Sequence, residues 1–303
     1  MKWLYIAAAA AVALPPYAVW SIYKYVFARK RPPLLNAVLD KKTHVPEYYV
    51  WRDARAEALG QMQHITHTML SDRGEELKGF YFPCGEAPCR RIAFIVHGYH
   101  SEHLETAGML YDFYHSRGFD VFAPDNTASG HSGGDWFGYD VFESADCLKW
   151  LEYLQCEYGR DIQVIMHGFS LGGATVMKMS DRVPENVKFT VEDSGFTDAR
   201  GILRPQLGPL YGIVGRINAR CAGYELKETD VSPALRKTKQ PMLFVHGKDD
   251  PTVPFSNAPK AYEMHGGEKD FLFTYSARHI ETMFVSSDDY AKKLDEFIAR
   301  YIK

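Results

Sequence analysis

Runs of apolar residues that end in a polar or glycine-rich turn, each followed by a helical pattern, recur along most of this chain. Continuous apolar runs at 92–96, 164–166 and 242–245 are typical of strands covered on both faces. The segments between such runs carry apolar residues at helical intervals, as from Asp140 to Tyr158. Strands that alternate with helices predict an α/β fold, with a mostly parallel central sheet and helices on both faces.

Two segments depart from this alternation. Residues 64–70 and 77–82 have strand character and are joined by a turn at 71–74, which predicts an antiparallel hairpin at the start of the sheet. Residues 196–235 contain Pro205, Pro209 and several glycines, and they predict a small helical lid inserted over the strand ends. The leucines of this insertion either cover an acyl pocket or simply pack on the sheet.

The first 28 residues differ in character from the rest. The stretch from Trp3 to Trp20 is uninterrupted by charge and reaches the length of about 18 residues that a membrane span needs. Aromatic residues lie near both ends, as in an interfacial belt. We therefore expect a single-pass transmembrane anchor at 1–28 that binds the protein to a membrane. A cleaved secretory signal, with small residues at Ala11 and Ala13, is the alternative.

The orientation of this anchor stays open. Basic residues at 24 and 29–31 follow the span and favour a cytoplasmic domain, whereas the signal-like start favours the opposite side. Cys84 and Cys89, two loop thiols, could pair in an oxidising compartment. Residues 29–62 predict a polar connector and a helix on the domain edge, and the main folded domain spans 63–303.

Composition narrows the class of protein. The 303 residues are 46% apolar and 24% charged, as in a globular protein with a sizeable core. The net charge of −3 gives no support for nucleic-acid binding. Five scattered cysteines do not form a disulfide framework.

One turn predicts a nucleophile. The residues Gly168-Phe169-Ser170-Leu171-Gly172 stand between a buried strand and a helix, which is the setting of a G-x-S-x-G turn. In such a turn the serine hydroxyl projects above the sheet. A serine hydroxyl is a weak nucleophile until a base removes its proton, and that base needs an orienting carboxylate.

The partners of Ser170 follow in the order acid, then base. Asp250 comes after the next-to-last strand and His279 after the last, and the carboxyl ends of parallel strands meet at one edge of a sheet. We expect His279 to act as base and Asp250 as its orienting acid. Asp249 and Asp193 also end strands and are the rival acids.

Two main-chain N–H groups are needed to stabilise the oxyanion of an acyl-transfer intermediate. The residue after the nucleophile, Leu171, supplies one, and Tyr99 in the loop after the strand at 92–96 supplies the other. His97 and His100 lie in the same loop, but no carboxylate at ligand spacing accompanies them. We expect neither a metal nor a cofactor.

These residues together resemble the α/β-hydrolase family. The resemblance runs from about His64 to the C-terminus and narrows to bacterial membrane-anchored esterases of the serine aminopeptidase and prolyl oligopeptidase-like subgroup. Asn126-Thr127 departs from the arginine common at this point in the family. The motifs that carry the resemblance are His97-Gly98-Tyr99, Pro124-Asp125 with Gly130-His131-Ser132, Gly168 to Gly172, His246-Gly247 with Asp250 and Val253-Pro254, and His279.

The resemblance implies an α/β-hydrolase domain at 63–303 with serine-hydrolase chemistry and no cofactor. We expect a membrane-anchored serine hydrolase, carboxylesterase or lipase-like, that cleaves a small-molecule acyl ester through an acyl-enzyme on Ser170. A peptidase or amidase that acts on a short peptide is the alternative within the same chemistry. The alternative from another class is a catalytically silent binding module at the membrane.

Overall fold

The computed structural model describes residues 16–39, 43–85 and 89–303. Eight strands form one sheet in the order β1-β2-β4-β3-β5-β6-β7-β8. β1 and β2 form the antiparallel hairpin that the sequence predicts, β2 also pairs antiparallel with β4, and all the other pairs are parallel. The strands are β1 (Ile65–Leu70), β2 (Glu76–Phe82), β3 (Arg91–Val96), β4 (Asp120–Pro124), β5 (Gln163–Phe169), β6 (Val187–Asp193), β7 (Met242–Gly247) and β8 (Lys269–Thr274).

Helices cover both faces of the sheet and precede, connect and follow its strands. Along the described residues they are α1 (Pro16–Phe27), α2 (Pro33–Leu39), α3 (Pro46–Gly60), α4 (His103–His115), α5 (Val141–Tyr158), α6 (Leu171–Met179), α7 (Ala199–Leu207), α8 (Tyr211–Cys221), α9 (Ser232–Lys237), α10 (Asn257–Met264), α11 (Thr282–Val285) and α12 (Ser287–Tyr301). Two short 3₁₀ helices, Gly208–Leu210 and Leu226–Thr229, interrupt the segment between α7 and α9.

The apolar core is divided between the two faces of the sheet, because the side chains of each central strand alternate between these faces. Ile92, Phe94 and Val96 of β3 belong to the cluster under α5 and α6, whereas Ala93 and Ile95 belong to the cluster under α3, α4 and α12. Successive side chains of a strand point to opposite faces, so a continuous apolar run requires a cover on both. The edge strand β1 is instead mostly exposed.

The transmembrane anchor predicted at 1–28 is wrong, and so is the membrane-anchored localisation that followed from it. No helix within the described ranges is both long enough and apolar enough to cross a bilayer. The 12-residue α1 packs against the protein itself, with Tyr23 and Phe27 fully buried. The rings of Tyr23 and Trp136 lie 5.0 Å apart, so an aromatic that we assigned to a membrane interface has a protein neighbour. Residues 1–15, with the signal-like Ala11 and Ala13, lie outside the described residues.

The segment between β6 and β7 contains α7, α8 and α9, as the helical pattern at 196–235 suggests. Leu203, Leu207 and Val214 of this segment are buried in one apolar cluster with α1 and with Leu171, the residue after the predicted nucleophile. Helix α1 therefore shares a core with the inserted helices at the carboxyl edge of the sheet.

Candidate active site

Ser170 stands in a strained turn between β5 and α6. Its φ of 54° and ψ of −112° lie outside the ordinary regions for a residue with a side chain. A Cβ on Gly168 would come within 2.1 Å of the carbonyl oxygen of Gly172, and one on Gly172 within 2.1 Å of that of Val96. The glycines permit this close approach, and the Ser170 N–H donates to the carbonyl oxygen of Asp193 (2.8 Å), which fixes the turn.

The structure brings Ser170, His279 and Asp250 together from three separate strand ends. The His279 Nε2 atom lies 2.8 Å from Ser170 Oγ, and its Nδ1 atom lies 2.7 Å from Asp250 Oδ2. His279 and Asp250 are buried, and Ser170 is partly exposed. The geometry is that of a hydroxyl, a base and an orienting carboxylate in one hydrogen-bonded line.

Asp250 is held as a carboxylate. Its Oδ1 atom accepts hydrogen bonds from the main-chain N–H groups of Thr252 (2.7 Å) and Val253 (2.8 Å), and His246 Nε2 lies 3.2 Å from Oδ2. Burial alone would raise the pKa of Asp250, but the imidazoles of His279 and His246 hold this pKa well below its usual range. The side chain of Asp250 is therefore ionised near neutral pH in the folded protein.

The two rival acids have other surroundings. Asp249 is exposed, and its main-chain N–H donates to the carbonyl oxygen of Ala277 (3.1 Å). Asp193 is fully buried and accepts hydrogen bonds from Ser194 Oγ (2.7 Å) and from the Tyr290 hydroxyl (2.8 Å). Burial raises the pKa of Asp193 to about 6.

Asp193 and Ser194 support the histidine loop, a role that the sequence did not reveal. Ser194 Oγ donates to Asp193 and accepts from the N–H of Ile280 (3.2 Å), the residue next to His279. Tyr290 joins Asp193 to His167 on β5, with 2.9 Å between the tyrosine oxygen and His167 Nε2. A buried polar chain thus connects the loop of His279 to the strand of the nucleophile.

The loop that carries Tyr99 contacts the nucleophile. A Cβ on Gly98 would lie 3.3 Å from Ser170 Cβ, so Tyr99 is one residue away from direct contact with the serine. The Tyr99 hydroxyl donates to the carbonyl oxygen of Val26, at the C-terminal end of α1. Leu171 is buried at the first position of α6. The two main-chain N–H groups predicted for an oxyanion hole thus come from elements that flank Ser170.

A second imidazole–carboxylate pair lies beside the first. His44 Nδ1 is 3.2 Å from Glu281 Oε1, and the ring of His44 lies nearly parallel to that of His279 at 6.3 Å between centroids. Sequence reasoning missed both residues because His44 lies in the connector, far from any motif. The position of Glu281, two residues after His279, was the one available signal.

The histidines in and near the Tyr99 loop form hydrogen bonds with main-chain groups and with the carboxylate of Asp125. His97 Nδ1 bonds the carbonyl oxygen of Gly98 (2.7 Å), and its Nε2 accepts from the N–H of Asn126 (2.9 Å). Asp125 accepts from the ring and main-chain nitrogens of both His103 and His131. These side chains, with Glu102, are close enough to share a metal ion, but a metal would displace hydrogen bonds that close two loops.

A second group with metal-ligating atoms lies away from the serine. Cys84, Cys89 and Asp120 are close together, and both cysteines are free thiols. The main-chain N–H groups of both cysteines donate to the Asp120 carboxylate, at 2.7 Å and 2.9 Å. This carboxylate therefore caps the loop between β2 and β3.

Most of the chain is similar in sequence to known proteins. Residues 109–303, more than half of the chain, match the prolyl oligopeptidase family. The uncharacterized protein YqkD of Bacillus subtilis is 24% identical over 251 residues, 80% of this chain and 81% of that protein. The uncharacterized protein YfhR of Escherichia coli K12 is 22% identical over 237 residues, 74% of this chain and 77% of that protein.

Solved structures share the fold. The Pyrococcus furiosus esterase Pf2001 superposes with a TM-score of 0.64 at 21% identity, over 82% of this chain and 96% of the esterase. The Pyrococcus horikoshii acylaminoacyl peptidase superposes with a TM-score of 0.60 at 16% identity, over 80% of this chain and 42% of the peptidase. The α/β fold with a mostly parallel sheet that the sequence predicts is confirmed.

Proposed function

Because this chain belongs to the prolyl oligopeptidase family, whose members are α/β hydrolases, we propose that it cleaves a carboxylic ester through an acyl-enzyme on Ser170. The observation that carries the proposal is the hydrogen-bonded line from Ser170 Oγ through both ring nitrogens of His279 to Asp250, with distances of 2.8 Å and 2.7 Å. This line combines a hydroxyl that can be deprotonated with a base whose tautomer is fixed.

The reaction proceeds in two halves. Ser170 Oγ attacks the carbonyl carbon while His279 Nε2 takes the hydroxyl proton, and the main-chain N–H groups of Tyr99 and Leu171 stabilise the oxyanion. The intermediate collapses as His279 returns the proton to the leaving alcohol. Water, deprotonated by the same nitrogen, then attacks the acyl-enzyme. The bond between the acyl carbon and Ser170 Oγ breaks as His279 returns the proton to that oxygen, and the carboxylic acid is released.

Asp250 contributes through its charge and its two other hydrogen bonds. With its Oδ1 atom held by Thr252 and Val253, its Oδ2 atom faces His279 Nδ1 and keeps the proton there. The lowered pKa of Asp250 keeps it anionic while His279 is positively charged in the intermediate. Burial of the pair strengthens this attraction.

Hydrolysis of an amide is the second candidate, and the family match favours it because the family is named for an oligopeptidase. An ester is the better-supported substrate. The superposition covers 96% of the Pyrococcus furiosus esterase but 42% of the acylaminoacyl peptidase, so most of the peptidase has no superposed counterpart here.

A substrate panel tests the proposal. The p-nitrophenyl esters of acetate, butanoate, octanoate and dodecanoate should be hydrolysed with kcat/KM far above that of aminoacyl p-nitroanilides, and Ser170→Ala should remove both activities. Rapid cleavage of the anilides without preference for any ester would overturn the ester assignment and leave the nucleophile intact.

A further inference from the structure

Glu281 and His44 form a buried carboxylate–imidazole pair that the proposed mechanism does not use. Glu281 Oε1 lies 3.2 Å from His44 Nδ1 and accepts from the N–H of Val45 (3.0 Å). Its Oε2 atom accepts from the N–H of Arg278 (3.2 Å), the residue before His279. The side chain of Glu281 is 1% exposed and that of His44 is 10% exposed.

The contact with Glu281 fixes the tautomer of His44. A ring nitrogen that faces a carboxylate carries a proton, so Nδ1 is the donor. Burial, together with the neighbouring His279 and Arg52, lowers the pKa of His44 to about 4, so the ring is neutral near pH 7. Its Nε2 atom is therefore an acceptor, and the one ring hydrogen bond of His44 among the described residues is made by Nδ1.

The ring of His44 lies beside that of His279, the residue that returns the proton to the departing group. His279 Nε2 delivers its proton to the leaving oxygen, so the leaving group lies against His279. The ring of His44 is nearly parallel to that of His279, with 6.3 Å between centroids and 24° between planes. One proposed oxyanion donor, the N–H of Tyr99, instead follows Gly98, where a Cβ would lie 3.3 Å from Ser170 Cβ.

We propose that His44 Nε2 accepts a hydrogen bond from the leaving group, and that the preferred substrate is an ester of an alcohol that carries a second hydroxyl. This inference rests on the proposed ester hydrolysis and specifies its substrate. The acceptor requires a donor on the alcohol close to the ester oxygen. A simple alkyl alcohol offers none.

Local charge favours a hydroxyl over an ammonium as that donor. Arg52 and Arg278 lie near His44, and His279 becomes positively charged during the reaction. Of the nearby carboxylates, Asp250 is engaged by His279 and His246, and Glu281 by His44 and two main-chain N–H groups. A second cation in this space is repelled, whereas a neutral hydroxyl is not.

Three butanoates with one acyl group test the inference: ethyl, 2-hydroxyethyl and 2-aminoethyl butanoate, assayed by pH-stat at pH 6 with the amine charged. In the wild type we expect kcat/KM for the hydroxyethyl ester about five- to tenfold above that for the ethyl ester, the effect of one hydrogen bond. The aminoethyl ester should be no better than the ethyl ester.

Two substitutions separate recognition of the leaving group from support of the loop that carries His279. The amide N–H of His44→Asn can still donate to Glu281 but places no acceptor at the Nε2 position, whereas His44→Phe loses both interactions. In both variants we expect kcat/KM for hydroxyethyl butanoate to fall to that for ethyl butanoate, so that the hydroxyl preference is lost. The exposed His64, changed to Asn as a control, should leave the hydroxyl preference unchanged.

The outcomes that contradict the inference differ from those that contradict the proposed function. Equal wild-type kcat/KM for ethyl and hydroxyethyl butanoate, a faster aminoethyl ester, or a hydroxyl preference that survives in both His44 variants would overturn the leaving-group site while ester hydrolysis stands. No hydrolysis of any of the three esters by the wild type would overturn both.

Discussion

The hydroxyl of Tyr99 donates a hydrogen bond to the main-chain carbonyl oxygen of Val26, at the end of α1. The hydroxyl of Tyr139 reaches the same oxygen at 3.2 Å. Arg29 extends this connection, because its guanidinium donates to the carbonyl oxygens of Gly130 and Ser132. The N-terminal segment is thus bonded to the loop that carries one proposed oxyanion donor.

Removal of the Tyr99 hydroxyl tests this connection. Tyr99→Phe should lower kcat several-fold with little change in KM, because the oxyanion forms only after substrate has bound. It should also lower the free energy of unfolding by about 1 kcal/mol, the contribution of one hydrogen bond. Steady-state kinetics and urea unfolding measure the two effects.

Tyr139→Phe is the matched control, since it removes the other donor to Val26 but keeps the Tyr99 hydroxyl and the ring that packs 5.4 Å from that of Tyr99. It should reduce stability by a similar amount and leave kcat near the wild-type value. Equal losses of kcat in the two variants would show that the hydroxyl of Tyr99 has no special role in positioning its N–H.

The acid of the site can be identified with adjacent aspartates. Asp250→Asn should reduce kcat by about three to four orders of magnitude, because the amide can no longer keep the proton on His279 Nδ1. Asp249→Asn should change kcat less than twofold, because Asp249 is exposed. The reverse result would assign the acid role to Asp249.

Glu192 predicts a pH dependence of stability. Burial raises its pKa to about 7, since its Oε2 atom has no partner among the described residues and its Oε1 atom has only the N–H of Gly195. Because burial favours the protonated carboxyl, this group stabilises the folded protein most at pH values below the pKa that it has in the unfolded chain. That stabilisation is lost as pH rises through the higher pKa of the folded state. Between pH 5 and pH 8 the wild type should therefore lose up to about 3 kcal/mol relative to Glu192→Gln.

Urea unfolding of both proteins at pH 5 and pH 8 measures this difference directly. Comparison with the variant cancels the contributions of all other groups. Parallel pH profiles for wild type and Glu192→Gln would mean that Glu192 is already ionised at pH 5.

The close packing of the nucleophile turn gives a test of the fold. Gly172→Ala places a methyl group 2.1 Å from the carbonyl oxygen of Val96, so we expect a loss of more than about 3 kcal/mol and no activity. At Gly201 in α7 a Cβ has open space, and Gly201→Ala should raise stability by about 0.5–1 kcal/mol. A folded, active Gly172→Ala enzyme would contradict the geometry of the turn.

Local patterns in the sequence predicted most of the sheet. The apolar runs at β3, β5 and β7 follow from burial on both faces, and the residues that follow β5, β7 and β8 were predicted to converge because parallel strands end at one edge. Ser170, Asp250 and His279 are candidates for that reason. Their catalytic roles remain predictions until the substitutions are measured.

The N-terminal segment escaped prediction for a physical reason. Hydropathy reports that a helix is buried, but it does not distinguish burial in lipid from burial against Trp136 and Tyr139. The aromatic residues at 20–27 therefore matched a membrane interface and a protein surface equally well. The His44–Glu281 pair escaped for another reason, because its members are 237 residues apart and no periodic pattern connects them.

The central claim is that Ser170 is the nucleophile, and active-site labelling tests it most directly. Wild-type protein treated with a fluorophosphonate should gain one phosphonyl group on the peptide that contains Ser170, as measured by mass spectrometry. Ser170→Ala should not be labelled, and His279→Ala should be labelled far more slowly. Labelling that is absent in the wild type, or that persists in Ser170→Ala, would contradict the account and favour a binding module without catalysis.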